Sequence, residues 1–298
     1  MSTSVTAGTA PVSHVGRGIL LMLLAVLFFT GMDATAKGLV REYPALQVIW
    51  ARFLGQFLIV VLILRGRTFA LARTRHPIQQ IFRSLFQFGA IGFFFASLNH
   101  IGLAEATAIG DTSPLLITLG AALFLGEKLG PRRIAGVVAA MIGALIIIRP
   151  GFGMFTPWAL LPFLSAVSYA GNALLTRVVG TRESVWTTMI LGGAFGAILS
   201  SFTLPWLWTP IDLADLWLFA LVGALGAAGQ LCIIKAFSIA EASAIAPFSY
   251  VGIICATGWG ILLYDEYPDL WTIVGALVIA GAGLYVWHRE TKAARAAA

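Results

Sequence analysis

Charge is scarce in this chain: Asp, Glu, Lys and Arg supply 11% of its 298 residues, against about 25% in a soluble domain. With 59% of residues apolar and a mean hydropathy of +0.91, too little polar surface exists to coat a water-soluble globule of this size. Cysteine is equally rare. Cys232 and Cys255 both sit inside apolar runs, so neither a disulfide framework nor a thiolate metal site is expected. The four histidines, His14, His76, His100 and His288, fall in loops or at the ends of apolar runs, and no HExxH helix is present. That counts against an intramembrane hydrolase or transferase, which needs a base or ligands at depth. No Walker A sequence supports ATP-driven pumping, and no filter segment or charged pore helix supports a channel. No cofactor or metal is expected. The net charge of +6 lies in short clusters between apolar runs, a pattern that fits loops at an anionic membrane surface and not a nucleic-acid partner.

What the chain has in abundance is apolar length. A hydrocarbon core of about 30 Å needs about 20 helical residues per crossing. Ten runs qualify: Gly18–Lys37, Ala45–Leu64, Gln80–Ile101, Thr107–Gly126, Arg132–Arg149, Phe155–Thr176, Val185–Leu204, Leu216–Lys235, Ala242–Tyr264 and Leu270–Trp287. Merging the fourth and fifth would bury Glu127, Lys128, Arg132 and Arg133 in lipid, at a prohibitive cost. The first run is too long for a signal-peptide core. With the N-terminus in the cytoplasm, fifteen Lys and Arg residues fall inside, three (Lys37, Arg41, Arg149) fall outside, and Arg52 is embedded. The positive-inside rule therefore predicts both termini in the cytoplasm.

The chain also repeats itself. Leu103-Ala-Glu-Ala-Thr-Ala-Ile109 echoes Ile239-Ala-Glu-Ala-Ser-Ala-Ile245; each opens a run ending at a glutamate, Glu127 or Glu266, with a glycine nine residues beyond, Gly136 or Gly275. The fourth and ninth runs thus correspond. Five crossings separate them, and an odd number reverses direction, so the halves are predicted to be inverted in the membrane. Inverted repeats around a midplane site are a recurring plan of secondary transporters. The expected architecture is an all-α integral membrane protein, its ten transmembrane helices forming two inverted five-helix repeats around a central cavity. Residues 1–15 are read as a disordered cytoplasmic tail, 16–150 and 151–288 as the repeats, and 289–298 as a second cytoplasmic tail.

Pro114, followed by Leu123-Phe-Leu-Gly-Glu-Lys-Leu129, and the looser Pro247 with Tyr264-Asp-Glu266, resemble the drug/metabolite transporter superfamily, EamA type, over about residues 17 to 288. The general look is similar to the YddG group of amino-acid exporters. The resemblance implies a metabolite carrier of the bacterial inner membrane with a cavity between its halves. Leu-Tyr-Asp-Glu departs from the Leu-Gly-Glu form in the second half, which weakens the equivalence of the two glutamates.

Helical spacing selects the candidate pathway. The sixth run aligns Trp158, Ser165, Tyr169, Asn172 and Thr176 on one face; the fourth aligns Thr107, Asp111, Pro114 and Thr118; the ninth carries Ser243, Pro247, Tyr250 and Thr257. The third adds Arg83, Phe86 and Gln87. Several have a bland alternative: Ser and Thr bond their own backbone or glue helices, Trp158 and Tyr250 fit an interface belt or packing, and the Phe93–Phe95 run fits packing better than recognition. Asn172, Gln87 and Tyr169 are expected to meet the polar ends of a substrate. Asp33, Arg52 and Asp111 are embedded charges, read as an Asp33–Arg52 or Asp111–Arg52 pair; the second reading is that Asp111, instead of pairing, carries a coupling proton. Glu127 and Glu266 are read as N-terminal partners of the helices that follow them. The glycines of the seventh and eighth runs, Gly192, Gly196, Gly223, Gly226 and Gly229, are read as seams of close helix approach.

The expected function is secondary transport: export of small metabolites, amino acids foremost and aromatic or other apolar ones among them, by alternating access. Nucleosides, sugars or cationic drugs are the alternative cargoes, and a membrane-embedded enzyme the rival class. The partners expected are a small-molecule substrate, the lipid bilayer and, in the second reading of Asp111, protons.

Overall fold

The structure is a computed structural model that describes residues 12–126, 130–148, 156–180, 183–239 and 246–297. Among the described residues it is all helix, with no strand. In chain order the helices are α1 (Val12–Val40), α2 (Ala45–Leu64), the single turn α3 (Thr68–Leu71), α4 (Pro77–Ser97), α5 (Leu103–Gly110), α6 (Ser113–Leu125), α7 (Pro131–Ile148), α8 (Leu160–Gly180), α9 (Val185–Leu207), α10 (Leu216–Ile239), α11 (Val251–Tyr264) and α12 (Leu270–Ala297). Apolar runs take this form because a helix satisfies its own backbone where no water is available. Among the described residues, seven helical segments are long and apolar enough to cross a membrane, and Ile134–Ile148 and Phe248–Tyr264 are shorter apolar helices.

Local chemistry sets the ends. Pro77 opens α4, where its missing N–H costs nothing. The Ser184 hydroxyl accepts from Trp186 N at the start of α9, and Asp269 Oδ1 accepts from Thr272 N (2.8 Å) at the start of α12. Gly126, at φ +70°, closes α6 in the left-handed conformation.

Several boundaries differ from the sequence reading. The fourth run is not one helix: α5 stops at Gly110, a turn occupies Asp111 and Thr112, and α6 starts at Ser113. Gly110 and Pro114 flank that turn, and proline suits the first turn of a helix better than its interior. The ninth run shows a related irregularity, a tight 3-10 stretch over Ala246–Tyr250 before α11. The third run ends at Ser97, leaving Leu98–Ile101 in a turn. Helix α1 begins at Val12, inside the expected tail, and α12 stays helical to Ala297 through the other one; residues 1–11 lie outside the described residues.

The packing is interleaved. Helix α1 packs on α10, and α4 on α8; α2 packs on α9, and α7 on α12; α10 also meets α2, and α4 meets α9; α1 touches α11, and α6 touches α8. Glycines permit the closest crossings. A Cβ on Gly223 would lie 2.8 Å from Gly55 Cα, and one on Gly275 would lie 2.7 Å from the Gly143 carbonyl oxygen. The main core joins Leu39, Val48, Ile49, Phe53, Phe95, Leu103 and Val222 from five helices. Large apolar side chains such as Leu62, Phe124, Trp206, Ile254 and Leu277 point outward, which is where a bilayer would solvate them.

Candidate functional site

Three polar clusters occupy the bundle. The first closes one end. Lys37, only 2% exposed, sends its Nζ to Glu266 Oε1 (2.9 Å) and to the carbonyls of Leu98 (2.8 Å) and Ile101 (2.6 Å). Glu266 Oε2 accepts from Leu103 N (3.1 Å), and Arg41 reaches Oε1 at 3.5 Å while lying over the Tyr264 ring. The Tyr264 hydroxyl donates to the Ala34 carbonyl. One carboxylate thus ties α1, the α4–α5 turn and the α11–α12 turn together. Its role differs from the sequence reading: Glu266 serves a distant lysine, and Asp269 caps the helix that follows. Glu127 lies outside the described residues. Beside this knot opens a cleft of about 410 Å³, lined by Lys37, Arg41, His100, Glu105, Thr156 and Asp269 among others. Trp158 stands nearby, 46% exposed and stacked on His100 at 3.7 Å.

The second cluster is the α4–α8 seam, and it takes up several expected pathway residues. Asn172 Nδ2 donates to the Arg83 carbonyl (2.9 Å), Ser165 Oγ donates to the Ala90 carbonyl (2.6 Å), and the Phe86 ring lies where Gly171 has no side chain. The Arg83 guanidinium is shared among Gln80 Oε1 (3.0 Å), Gln87 Oε1 (3.4 Å) and the Thr188 carbonyl (2.8 Å). Gly192 makes room for it; a Cβ there would sit 2.6 Å from Gln87 Oε1. Asn172, Gln87, Arg83 and Ser165 therefore hold helices together in this conformation. At the end of the seam Glu183 accepts from Thr74 Oγ1, Gln80 Nε2 (2.5 Å) and the N–H groups of Arg75 (2.9 Å) and His76 (3.2 Å). Loss of solvent raises its proton affinity, but the four hydrogen bonds outweigh that and hold its pKa below the ordinary 4.5.

The third cluster surrounds the break between α5 and α6. Five buried side-chain polar atoms lack a hydrogen-bond partner among the described residues: Thr107 Oγ1, Asp111 Oδ2, Thr156 Oγ1, Arg52 Nη1 and Gln56 Oε1. Thr156 lines the cleft, Thr107 follows Glu105 along α5, and Asp111 lies one turn further, its N–H bonded to the Thr107 carbonyl (2.9 Å). Tyr169, 47% exposed, projects from α8, and Tyr250 stands in the 3-10 stretch before α11; both α8 and α11 pack against α5. The Tyr250 hydroxyl abuts the backbone at Gly283 of α12. Pro114 is exposed on α6, and Thr118 Oγ1 bonds its carbonyl. Ser243 and the Pro247 side chain lie outside the described residues. Thr176 and Thr257 bond carbonyls of their own helices.

The expected ion pairs do not form. Arg52 directs Nε at Met32 Sδ (3.2 Å), and neither Asp33 nor Asp111 comes within 4 Å of its nitrogens among the described residues. Asp33 feels the Arg52 charge at longer range, whereas Asp111 lies on a different helix pair and does not. The reason is geometric: α2 packs on α9 and α10, and Arg52 faces α1 and α10 at Met32 and Gly226.

An all-helical bundle with apolar flanks, a polar interior and glycine-lined crossings defines a multi-pass membrane protein of the small-molecule carrier class. The chain belongs to the EamA-like transporter family, whose pattern matches residues 16–149 and again 156–287. It is 30% identical to the pseudopaline exporter of Pseudomonas aeruginosa over 89% of this chain and 94% of that one. It is also 30% identical to a riboflavin transporter of Rhizobium johnstonii, with 93% of each chain covered, and 25% identical to an S-adenosylmethionine uptake transporter of Rickettsia bellii, covering 93% and 95%. A solved crystal structure shares the fold with a TM-score of 0.60 at 19% identity, over 91% of this chain and 96% of that one.

Proposed function

We propose that the chain is a ten-crossing secondary transporter of the bacterial inner membrane, built from two inverted five-helix repeats with both termini cytoplasmic. It exports small amphipathic metabolites, amino acids and related amines first among them, by alternating access. The observation that carries this reading is the exchange symmetry of the contacts. Swapping α1 with α8, α2 with α9, α4 with α10, α5–α6 with α11, and α7 with α12 exchanges the principal packings: α1–α10 with α4–α8, α2–α10 with α4–α9, and α1–α11 with α6–α8, while α2–α9 and α7–α12 map onto themselves. The loop clasps obey the same swap: Tyr43 with Asp215 and Asp212 joins the loops after α1 and α9, and Glu183 with Thr74 and His76 joins the loops after α8 and α2. In the proposed topology these clasps lie on opposite faces of the membrane, as an inverted pair requires.

The Lys37–Glu266 knot lies at the non-cytoplasmic end in this topology and serves as the outer gate. It joins helices of both repeats through a buried cation, so opening that face requires breaking it. The named relatives differ in direction as well as cargo, which supports a carrier scaffold compatible with either. The test is counterflow in liposomes over amino acids, nucleosides and sugars, with and without a pH gradient. Saturable exchange of amino acids is expected; ion current without exchange, or neither, contradicts the reading.

A further inference from the structure

The interior of this bundle contains a carboxylate whose charge no neighbour among the described residues balances. Asp111 sits at the turn between α5 and α6, with Oδ2 buried and without a hydrogen-bond partner, and no cation approaches it within 4 Å among the described residues. Carboxylates in membrane interiors pair or serve a pathway, because an uncompensated charge there is costly. Arg52, the embedded cation, is turned toward Met32 on another helix pair. The groups that do surround Asp111 are of a particular kind. Thr107, one turn earlier, offers a second buried and unpartnered oxygen. Helix α5 packs against α8, which carries Tyr169, and against α11, which directly follows Tyr250. An acceptor pair with tyrosines on the neighbouring elements suits a primary ammonium: N–H donors meet the oxygens, and aromatic rings favour a positive charge.

We propose that Asp111, with Thr107 beside it and the rings of Tyr169 and Tyr250 around it, is the binding site for the ammonium group of an organic amine substrate. The cleft bordered by Glu105 and Thr156 opens at the start of α5, and Asp111 lies about 9 Å further along from Glu105 at 1.5 Å per residue. The helix break places the carboxylate where both half-helices end, as in other carriers built from discontinuous helices. The proposal rests on the carrier reading for its meaning, and it reassigns the amine end of the substrate from Asn172 and Gln87, which are occupied within the α4–α8 seam, to Asp111.

Equilibrium binding on the full chain in detergent at neutral pH tests it, with phenethylamine and its neutral isostere 2-phenylethanol as probes. The wild type is expected to bind the amine at least about tenfold more tightly than the alcohol, which corresponds to about 1.4 kcal/mol. In Asp111→Asn that preference should disappear with alcohol binding unchanged, and Thr107→Val should reduce it in part. Equal binding of both probes by the wild type overturns the proposal without recourse to any variant. A preference retained in Asp111→Asn also overturns it, as does a variant that loses only the pH dependence of transport, which would make Asp111 a proton carrier. Counterflow in liposomes separates this from the carrier reading: exchange by the wild type with no amine preference sinks the site alone, whereas amine binding without any exchange sinks the carrier.

Discussion

Lys37 illustrates how a single side chain can join distant parts of the bundle. It is buried, and its ammonium is satisfied by two carbonyls and one carboxylate. Glu266→Gln keeps the shape and removes the charge, leaving Lys37 with neutral partners. Removing one member of a fully buried pair costs about 3–5 kcal/mol; Glu266 is 28% exposed, so about 2–3 kcal/mol is expected here. Thermal unfolding in detergent would read this as a lower midpoint, and an unchanged midpoint would mean that the carbonyls alone hold the lysine. If the knot is the outer gate, the same variant should also raise the labelling of a cysteine placed at His100. The sequence carried only part of this. Lys37 and Arg41 stand out as exceptions to the positive-inside bias and Glu266 as the close of a repeated motif, but nothing along the chain shows that Lys37 and Glu266 share a bond. Asn172 and Gln87 make the converse point: helical spacing puts them on a polar stripe, yet whether a stripe faces water or another helix depends on neighbours that spacing does not reveal.

At the level of helices, the crossings depend on two backbone contacts. Gly223→Val would set a side chain against Gly55 Cα, where even a Cβ would be at 2.8 Å, and overpacking of this kind costs about 1–3 kcal/mol. Gly92 in α4 has nothing within 4 Å of where a methyl would stand, so Gly92→Ala should be neutral or stabilising by up to about 1 kcal/mol through helix propensity. Equal losses in both variants would contradict the packing described. The Glu183 clasp adds a pH dependence. Its folded-state pKa is lowered, so the stabilisation is present above the ordinary 4.5 and is lost as the pH falls through the lower folded value. The protection of the Arg75 and His76 amides, taken relative to the intrinsic exchange rate at each pH, should therefore fall on acidification in the wild type and be low at both pH values in Glu183→Gln. Helix positions were largely legible from apolar length; the break at Asp111–Thr112 was not. Its signal is present in Gly110-Asp-Thr-Ser-Pro114, a stop, a turn and a proline start, but a hydropathy window averages across it.

Across the whole molecule, the family match to both halves and the exchange of the principal helix packings support the proposed two-repeat plan. The sequence suggests the correspondence of the fourth and ninth runs through the Leu-Ala-Glu-Ala-Thr-Ala-Ile echo; the proposed correspondence of the remaining helices has no comparable echo and rests on which helix touches which. In the proposed inverted architecture, Leu213, in the loop after α9, and Arg73, in the loop after α2, belong to equivalent loop clasps on opposite membrane faces. Leu213 and Arg73 are both exposed. The most direct measurement places a single cysteine at each, in a chain with Cys232 and Cys255 replaced by alanine, and treats intact cells with a membrane-impermeant thiol reagent. Leu213→Cys should label from outside, and Arg73→Cys only after permeabilisation; labelling of both from the same side would contradict the inverted architecture.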